Sequence, residues 1–247
     1  AKNAQARGGA DAWRKVQSMV WVGHVDSQNA AAPNLPFTLA LKRPDRTRFE
    51  ITALNQVIVR VFDGKEGWKL RPSSGAGPDL RGFTADEVKF ARDEQVIDGP
   101  LLDHAAKGIA VALEGVDRVD GHDAYRLFVH LSSGAARHVW VDTQSFLDIK
   151  YDRPVRSASG QLTTIEVMYR DFKDVDGLKI PFVIESGAPG VDKRGRLVIE
   201  KISLNPPLDD LMFAKPVVPG RHHSVSVGID APTTTGVPHP QASSPLP

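Results

Sequence analysis

Residues 61–72 read VFDGKEGWKLRP. Asp-Gly-Lys-Glu-Gly has the small and charged residues of a loop that grips an anion, and also those of a chain reversal. An anion-gripping loop leads from a strand into a helix, whose free amides do the gripping. Here a β-branched run enters Asp63-Gly64, and Trp68 and Leu70 leave it as alternating apolar positions. Asp-Gly between two apolar runs marks a β-hairpin. The stretch therefore predicts a turn with Lys65 and Glu66 at its solvated tip, flanked by Phe62 and Trp68 as wall residues.

The same punctuation recurs along the chain. Residues 35–42 precede Arg43-Pro44-Asp45, residues 47–52 and 55–62 follow, and 67–71 return. Further strands are expected at 109–116, 124–131, 136–141, 146–151, 162–169, 178–185 and 197–204, joined by Asp120-Gly121, Ser133-Gly134, Asp142-Thr143, Asp176-Gly177 and Lys193-Arg194-Gly195. Hairpin follows hairpin without helical crossovers, so the sheet is antiparallel. Ten to twelve strands cannot stay flat, and the sheet should curl. The polar stretch 72–82 is expected to leave the sheet.

Helices are few. Residues 3–22 are expected to run from a helix into a strand, with Ala12, Trp13, Val16 and Met19 on one apolar face. Thr84-Ala85-Asp86-Glu87 is a capping box. Asp98-Gly99-Pro100 predicts a second short helix ending at Gly108, with Leu101, Leu102 and Ala105 buried. Both need packing partners, being too short to stand alone. Apolar groups on both faces of some strands fit a sheet with one face buried and part of the other covered. Such an interior is either a solid core or a site with room for an acyl chain.

Bulk properties narrow the function classes. The 247 residues carry 31 Lys and Arg against 30 Asp and Glu, a net charge of +1, so no long-range field draws nucleic acid. Apolar residues at 41% and charged residues at 25% are ordinary for a globular chain. Cysteine is absent, which removes disulfides, thiolate metal sites and cysteine nucleophiles. No apolar run reaches helical membrane-spanning length. The opening AKNAQARGG lacks an initiator Met, as after removal of a secretory signal or trimming of the chain. The Pro-, Ser- and Thr-rich tail from 216 to 247 is expected to be flexible or laid along the surface.

Taken in order, LALKRPDRTRFEI, VFDGKEGWKL, GHDAYRLFV, HVWVDTQSFLDIKYD and DFKDVDGLKIPF resemble the LolA/LolB-like superfamily, and more closely the bacterial outer-membrane lipoprotein-sorting group. The resemblance spans residues 10–215. Each motif alone is a generic strand and turn; their number and order carry the likeness. It implies a mainly β, strongly curved antiparallel half-barrel of about eleven strands, unclosed, with helices 84–108 lidding its concave face. It further implies a periplasmic, exported, non-enzymatic protein that binds lipid or a lipidated protein, with an inner-membrane transporter or other envelope protein as a further partner. Lys42-Arg43-Pro44 matches the family stretch whose arginine holds the lid by hydrogen bonds. The chain departs from the carrier in its length, its tail and its lower aromatic content.

The expected ligand-binding residues are Trp13, Phe37, Arg43, Phe62, Trp68, Leu101, Leu102, Phe128 and Trp140, as cavity wall and lid. No cofactor and no catalytic residue is expected: HExxH, the phosphate-binding Gly-x-x-x-x-Gly-Lys and the nucleophile elbow are all missing. His130 and His138 flank Gly134 symmetrically, and a hairpin centred there would make them cross-strand neighbours able to share a metal. Zinc requires a third ligand, from His222-His223 or Asp142. Solvated histidines on a sheet face are the plainer reading. Asp103-His104 is adjacent on a helix and cannot act as a facing pair. Asp209-Asp210 reads as a solvated loop, and Lys42, Arg43, Arg46 and Arg48 as a charged strand edge or a partner-facing patch. An envelope sensor or interaction module without a ligand is the alternative from another class, and a histidine-based metalloenzyme a third.

Overall fold

The computed structural model describes residues 1–26, 34–53, 56–73, 77–94, 97–156, 161–191 and 194–218. Two short helices, α1 (Lys2–Ala6) and α2 (Ala10–Lys15), precede a first run of strands: β1 (Ser18–Asp26), β2 (Leu35–Lys42), β3 (Arg46–Ala53), β4 (Gln56–Phe62), β5 (Gly67–Arg71) and β6 (Asp79–Gly82). Helix α3 (Ala85–Glu94) separates these from β7 (Ala110–Val119), β8 (His122–His130), β9 (Ala136–Asp142), β10 (Asp148–Arg156), β11 (Leu162–Val175), β12 (Leu178–Gly187) and β13 (Gly195–Leu204). All thirteen belong to one antiparallel sheet ordered β6-β5-β4-β3-β2-β1-β13-β12-β11-β10-β9-β8-β7. It is mainly β and open: β6 and β7 are its two edges.

The VFDGKEGWKLRP stretch is the β4–β5 hairpin. Asp63 N donates to Glu66 O at 3.0 Å, and the Asp63 carboxylate accepts from the amides of Lys65 and Glu66 at 2.7 and 2.8 Å. Gly64 takes φ of +101°, open to glycine without strain. The register keeps Phe62 opposite Gly67 and Val61 opposite Trp68.

Curvature follows from a short helix touching both arms of the sheet. The Glu87 carboxylate of α3 meets Lys69 of β5 at 2.7 Å, and Glu94 meets Arg137 of β9 at 2.8 Å. These two acids lie about 10 Å apart along the helix axis. Strands β5 and β9, by contrast, are nine steps apart in the sheet order, about 40 Å if it were flat. The sheet must therefore curl to bring its arms under one helix. Because β6 and β7 are opposite edges, the chain from 83 to 109 has to cross the mouth between them.

Alternation assigns the faces. On the inner face Trp13, Met19, Phe37, Leu102, Ile180 and Ile199 form one cluster, packed by α1, α2 and residues 97–102. Beside it Ile109, Val129, Leu131, Val139, Tyr151 and Val167 form a second, with Ile184 packed against both. The outer face is partly covered too. Leu208 and Phe213 of the C-terminal segment pack on Ala40, Val59 and Val61. This explains the strands that are apolar on both faces.

Several expectations change. Residues 97–108 form hydrogen-bonded turns instead of a regular helix, with positive φ at Gly99 and Asp103 breaking the helical run. Residues 79–82 join the sheet as β6 instead of leaving it. The helical stripe of 12–19 ends at Lys15: Met19 reaches the same core from strand β1. The sheet has thirteen strands where about eleven were expected. The tail from 219 onward lies outside the described residues.

Candidate functional site

The inner face is closed at its centre by a latch built on Asp98, which is 3% exposed. Its carboxylate accepts from Arg43 Nη2 at 2.8 Å and Lys107 Nζ at 2.5 Å, and its carbonyl accepts from Arg7 Nη1 at 2.7 Å. Arg43 also donates from Nε to Val16 O at 2.7 Å and from Nη2 to Trp13 O at 3.2 Å. It thereby caps carbonyls at the end of α2, where a cation is favoured. One arginine at the β2–β3 turn so ties the N-terminal helices to the segment that crosses the mouth. Arg14 of α2 adds a two-pronged bond to Asp103, at 2.7 and 2.6 Å.

Two clefts flank the latch. One, of about 610 Å³, lies between α1, α2, residues 101–106 and strands β7 and β8, with Ala4, Leu101, Leu102, Val111 and Leu127 among its walls. The other, of about 840 Å³, has Ile109 and Leu131 as its apolar part and a charged rim of Arg43, Asp45, Lys89 and Arg92. Both fall in the range of small-molecule sites. Farther along β7, Leu113 and Val116 are 63% and 56% exposed.

Helix α3 forms the cover over the mouth and buries none of its residues. Its contacts are polar: Glu87 to Lys69 and, at 3.8 Å, Arg60; Asp93 to Ser133 Oγ; Glu94 to Arg137 and to Tyr151 Oη at 2.9 Å. Phe90 takes the Arg153 guanidinium on its ring at 4.3 Å. The capping box is present as read: Thr84 N donates to the Glu87 carboxylate at 2.9 Å and Glu87 N to Thr84 Oγ1 at 3.3 Å. Burial works against the charge on Glu87, but the Lys69 and Thr84 hydrogen bonds outweigh it and hold its pKa below the usual carboxylate value.

Of the candidate wall and lid residues, Trp13, Phe37, Arg43, Phe62, Leu101 and Leu102 lie on the inner side. Trp68, Phe128 and Trp140 project from the other face: Trp68 packs with Val61 and Phe213, Trp140 with Val119 and Met168, and Phe128 opposes His138. They are not cavity wall. Period-two alternation groups side chains by face but does not say which face is inner, and here aromatic residues sit on both.

The histidine pair also dissolves. His130 opposes Ala136 and His138 opposes Phe128, so the two are diagonal instead of facing. The hairpin closes from Leu131 N to Ala135 O, off the symmetry about Gly134. His138 instead meets Asp152 at 2.9 Å and Glu114 at 3.4 Å. Among the described residues no three His, Asp or Glu side chains could hold a metal together, and His222-His223 lies outside them. Asp142 accepts from the Gln144 and Ser145 amides at a turn. His104 meets Ile109 O, with its neighbour Asp103 turned to Arg14. Asp210 is not free: it pairs with Lys42 and Arg46, while Asp209 caps the following turn. Asp98 escaped the sequence reading because Asp-Gly-Pro looks like a helix start.

Comparison with solved structures places this arrangement. A LolA superfamily protein from Nitrosomonas europaea aligns with a TM-score of 0.54, at 17% identity over 87% of this chain and 94% of that one. A domain assigned to outer-membrane lipoprotein sorting, from Vibrio parahaemolyticus, aligns at 0.55 with 10% identity, over 87% and 94%. The chain has the LolA-superfamily fold. A DUF1329 family protein from Desulfovibrio piger shares this LolA-type architecture at a TM-score of 0.54, with 13% identity over 86% of this chain and 95% of that one. No family profile and no curated protein matches the chain by sequence. At such identities the likeness is one of fold.

Proposed function

We propose that the chain is an exported, non-enzymatic binding or carrier protein that holds an apolar or lipidic ligand on the inner face of its half-barrel. The observation that carries this is the cleft of about 610 Å³ walled by Leu101, Leu102, Val111 and Leu127. The LolA-superfamily fold supports it. Burial of an acyl chain there would contribute roughly 0.8 kcal/mol per methylene, and the segment 97–108 would shift about its latch to admit it.

The test is binding of a fluorescent fatty-acid analogue, with native mass spectrometry of gently purified protein. Wild type should bind, and Leu127→Trp, which fills the cleft, should weaken binding by about tenfold, a loss of about 1.4 kcal/mol. A wild-type protein that neither carries nor binds lipid would overturn the reading.

A second reading rests on the β7 edge. Strand β7 has one unpaired side and exposed Leu113 and Val116, features suited to strand addition by a partner. In that case Leu113→Lys would abolish partner capture, whether or not lipid binding also changes.

A further inference from the structure

Beneath α3 the two arms of the sheet present cations to each other. Arg60 of β4, Lys69 and Arg71 of β5 and Arg81 of β6 share the inner face by register, and Arg153 of β10 faces them from the other arm. Against these five stand two carboxylates among the described residues that share this end of the inner face. Asp79 is engaged by Arg81 at 2.8 Å, leaving Glu87 of α3 for the rest. Arg137, nearby, has its own partner in Glu94.

The guanidinium groups are only partly satisfied. Arg60 lies over the Phe83 ring at 4.8 Å, and its one carboxylate contact among the described residues is at 3.8 Å. Arg153 lies over Phe90, and its Nε is buried without a hydrogen-bond partner. Burial lowers the Arg60 pKa; Glu87 opposes this, and the like charges of Arg71 and Arg153 add to it. An unpaired buried donor and crowded like charges both cost stability, and both would be relieved by one bound anion. Guanidinium groups present planar paired donors suited to phosphate and carboxylate oxygens.

We propose that this surface of β4, β5 and β10 is a binding site for the oxyanion headgroup of an amphiphile, and that Glu87 of α3 occupies it as a resident stand-in. The ligand is an acidic lipid: its chain lies along the apolar inner face, and its phosphate or carboxylate displaces Glu87 and draws the two arms together. This rests on the lipid-binding reading above and adds the charge of the ligand. Lifting Glu87 releases the first turn of α3 from β5 while Asp93 and Glu94 still tie its last turn to Ser133, Arg137 and Tyr151, so arrival of the anion swings the cover open about its C-terminal end.

The test compares oleoyl lysophosphatidic acid, monoolein and inorganic phosphate by calorimetry on the full chain. Wild type should bind the anionic lipid at least tenfold more tightly than the neutral glyceride of equal chain. Arg60→Gln with Arg153→Gln should remove that preference and spare monoolein binding. Glu87→Gln should tighten the anionic lipid several-fold, an opposite shift that misfolding could not mimic; circular dichroism checks the fold of each variant. Equal affinity for the two lipids in wild type, or a preference that survives the double substitution, overturns the proposal. If neither lipid binds but phosphate does, and the arginine variant loses it, the site takes a free oxyanion and the lipid reading fails. If nothing binds, both fail.

Discussion

The Asp98 carboxylate is enclosed by Arg43 and Lys107, and its main chain by Arg7. Removing one member of a buried ion pair leaves the other charges uncompensated. Asp98→Ala is expected to cost about 3 kcal/mol, seen as a fall in Tm of roughly 6–12 °C; an unchanged Tm would mean that the latch contributes nothing. Trp13 is 2% exposed, donates Nε1–H to Arg7 O at 2.9 Å and carries the Arg7 guanidinium on its ring. Trp13→Ala should cost about 3–5 kcal/mol, measured by urea unfolding. Arg43 was singled out only by the likeness of Lys42-Arg43-Pro44 to the family stretch. Its carboxylate partner lies 55 residues on, and no local pattern pairs them. The face of Trp68 was hidden for a related reason: what covers a sheet face is chosen by distant segments, here Leu208 and Phe213.

Helix α3 shows how an element can be legible in its start and opaque in its purpose. Thr84 and Glu87 announce the capping box, yet Glu87 also pairs with Lys69 on a strand that precedes it. A cover held by ions and not by apolar burial should respond to salt and acid. Because the Glu87 pKa is depressed in the folded state, its contribution is present above the ordinary carboxylate value of about 4.3 and is lost as pH falls through the lower folded value. Relative to its intrinsic rate at each pH, amide exchange across 85–94 should therefore accelerate below about pH 4. At about 1 M salt, where the screening length is near 3 Å, it should accelerate as well, while β11 and β12 stay protected. Uniform loss of protection would contradict a separable cover. The second predicted helix failed for a different reason. Gly99 and Asp103 adopt positive φ, and a short segment yields to its anchors at Asp98, Asp103 and Lys107 before it obeys propensity.

Across the whole molecule the meander was the most readable property. Turn chemistry at Asp63-Gly64, Asp120-Gly121 and Asp176-Gly177 sets neighbours one after another, and each hairpin pairs as its turn dictates. The short strand β6 escaped because residues 72–82 are polar and rich in Gly and Pro. How far the sheet curls, and what space remains inside, depend on side chains summed over both arms and have no local signature. A ligand held only by the folded chain should raise its stability by about 2.7 kcal/mol at a hundredfold excess over Kd, a Tm increase of roughly 5–11 °C; thermal melts with and without oleate read this directly.

The sheet order has one consequence for how the chain is made. Strand β1 lies between β2 and β13, with Met19 opposite Leu204, so the first and last strands meet at the centre of the sheet. Each half can zip up through neighbouring hairpins as it emerges, but the seam joining them waits for almost the last residues of the sheet. Until then β1 presents a bare edge, open to mispairing, and the inner face has only half its walls. Distant pairings of this kind close slowly. For the exported protein proposed above that delay would be useful, since nothing complete can form until the whole sheet has passed.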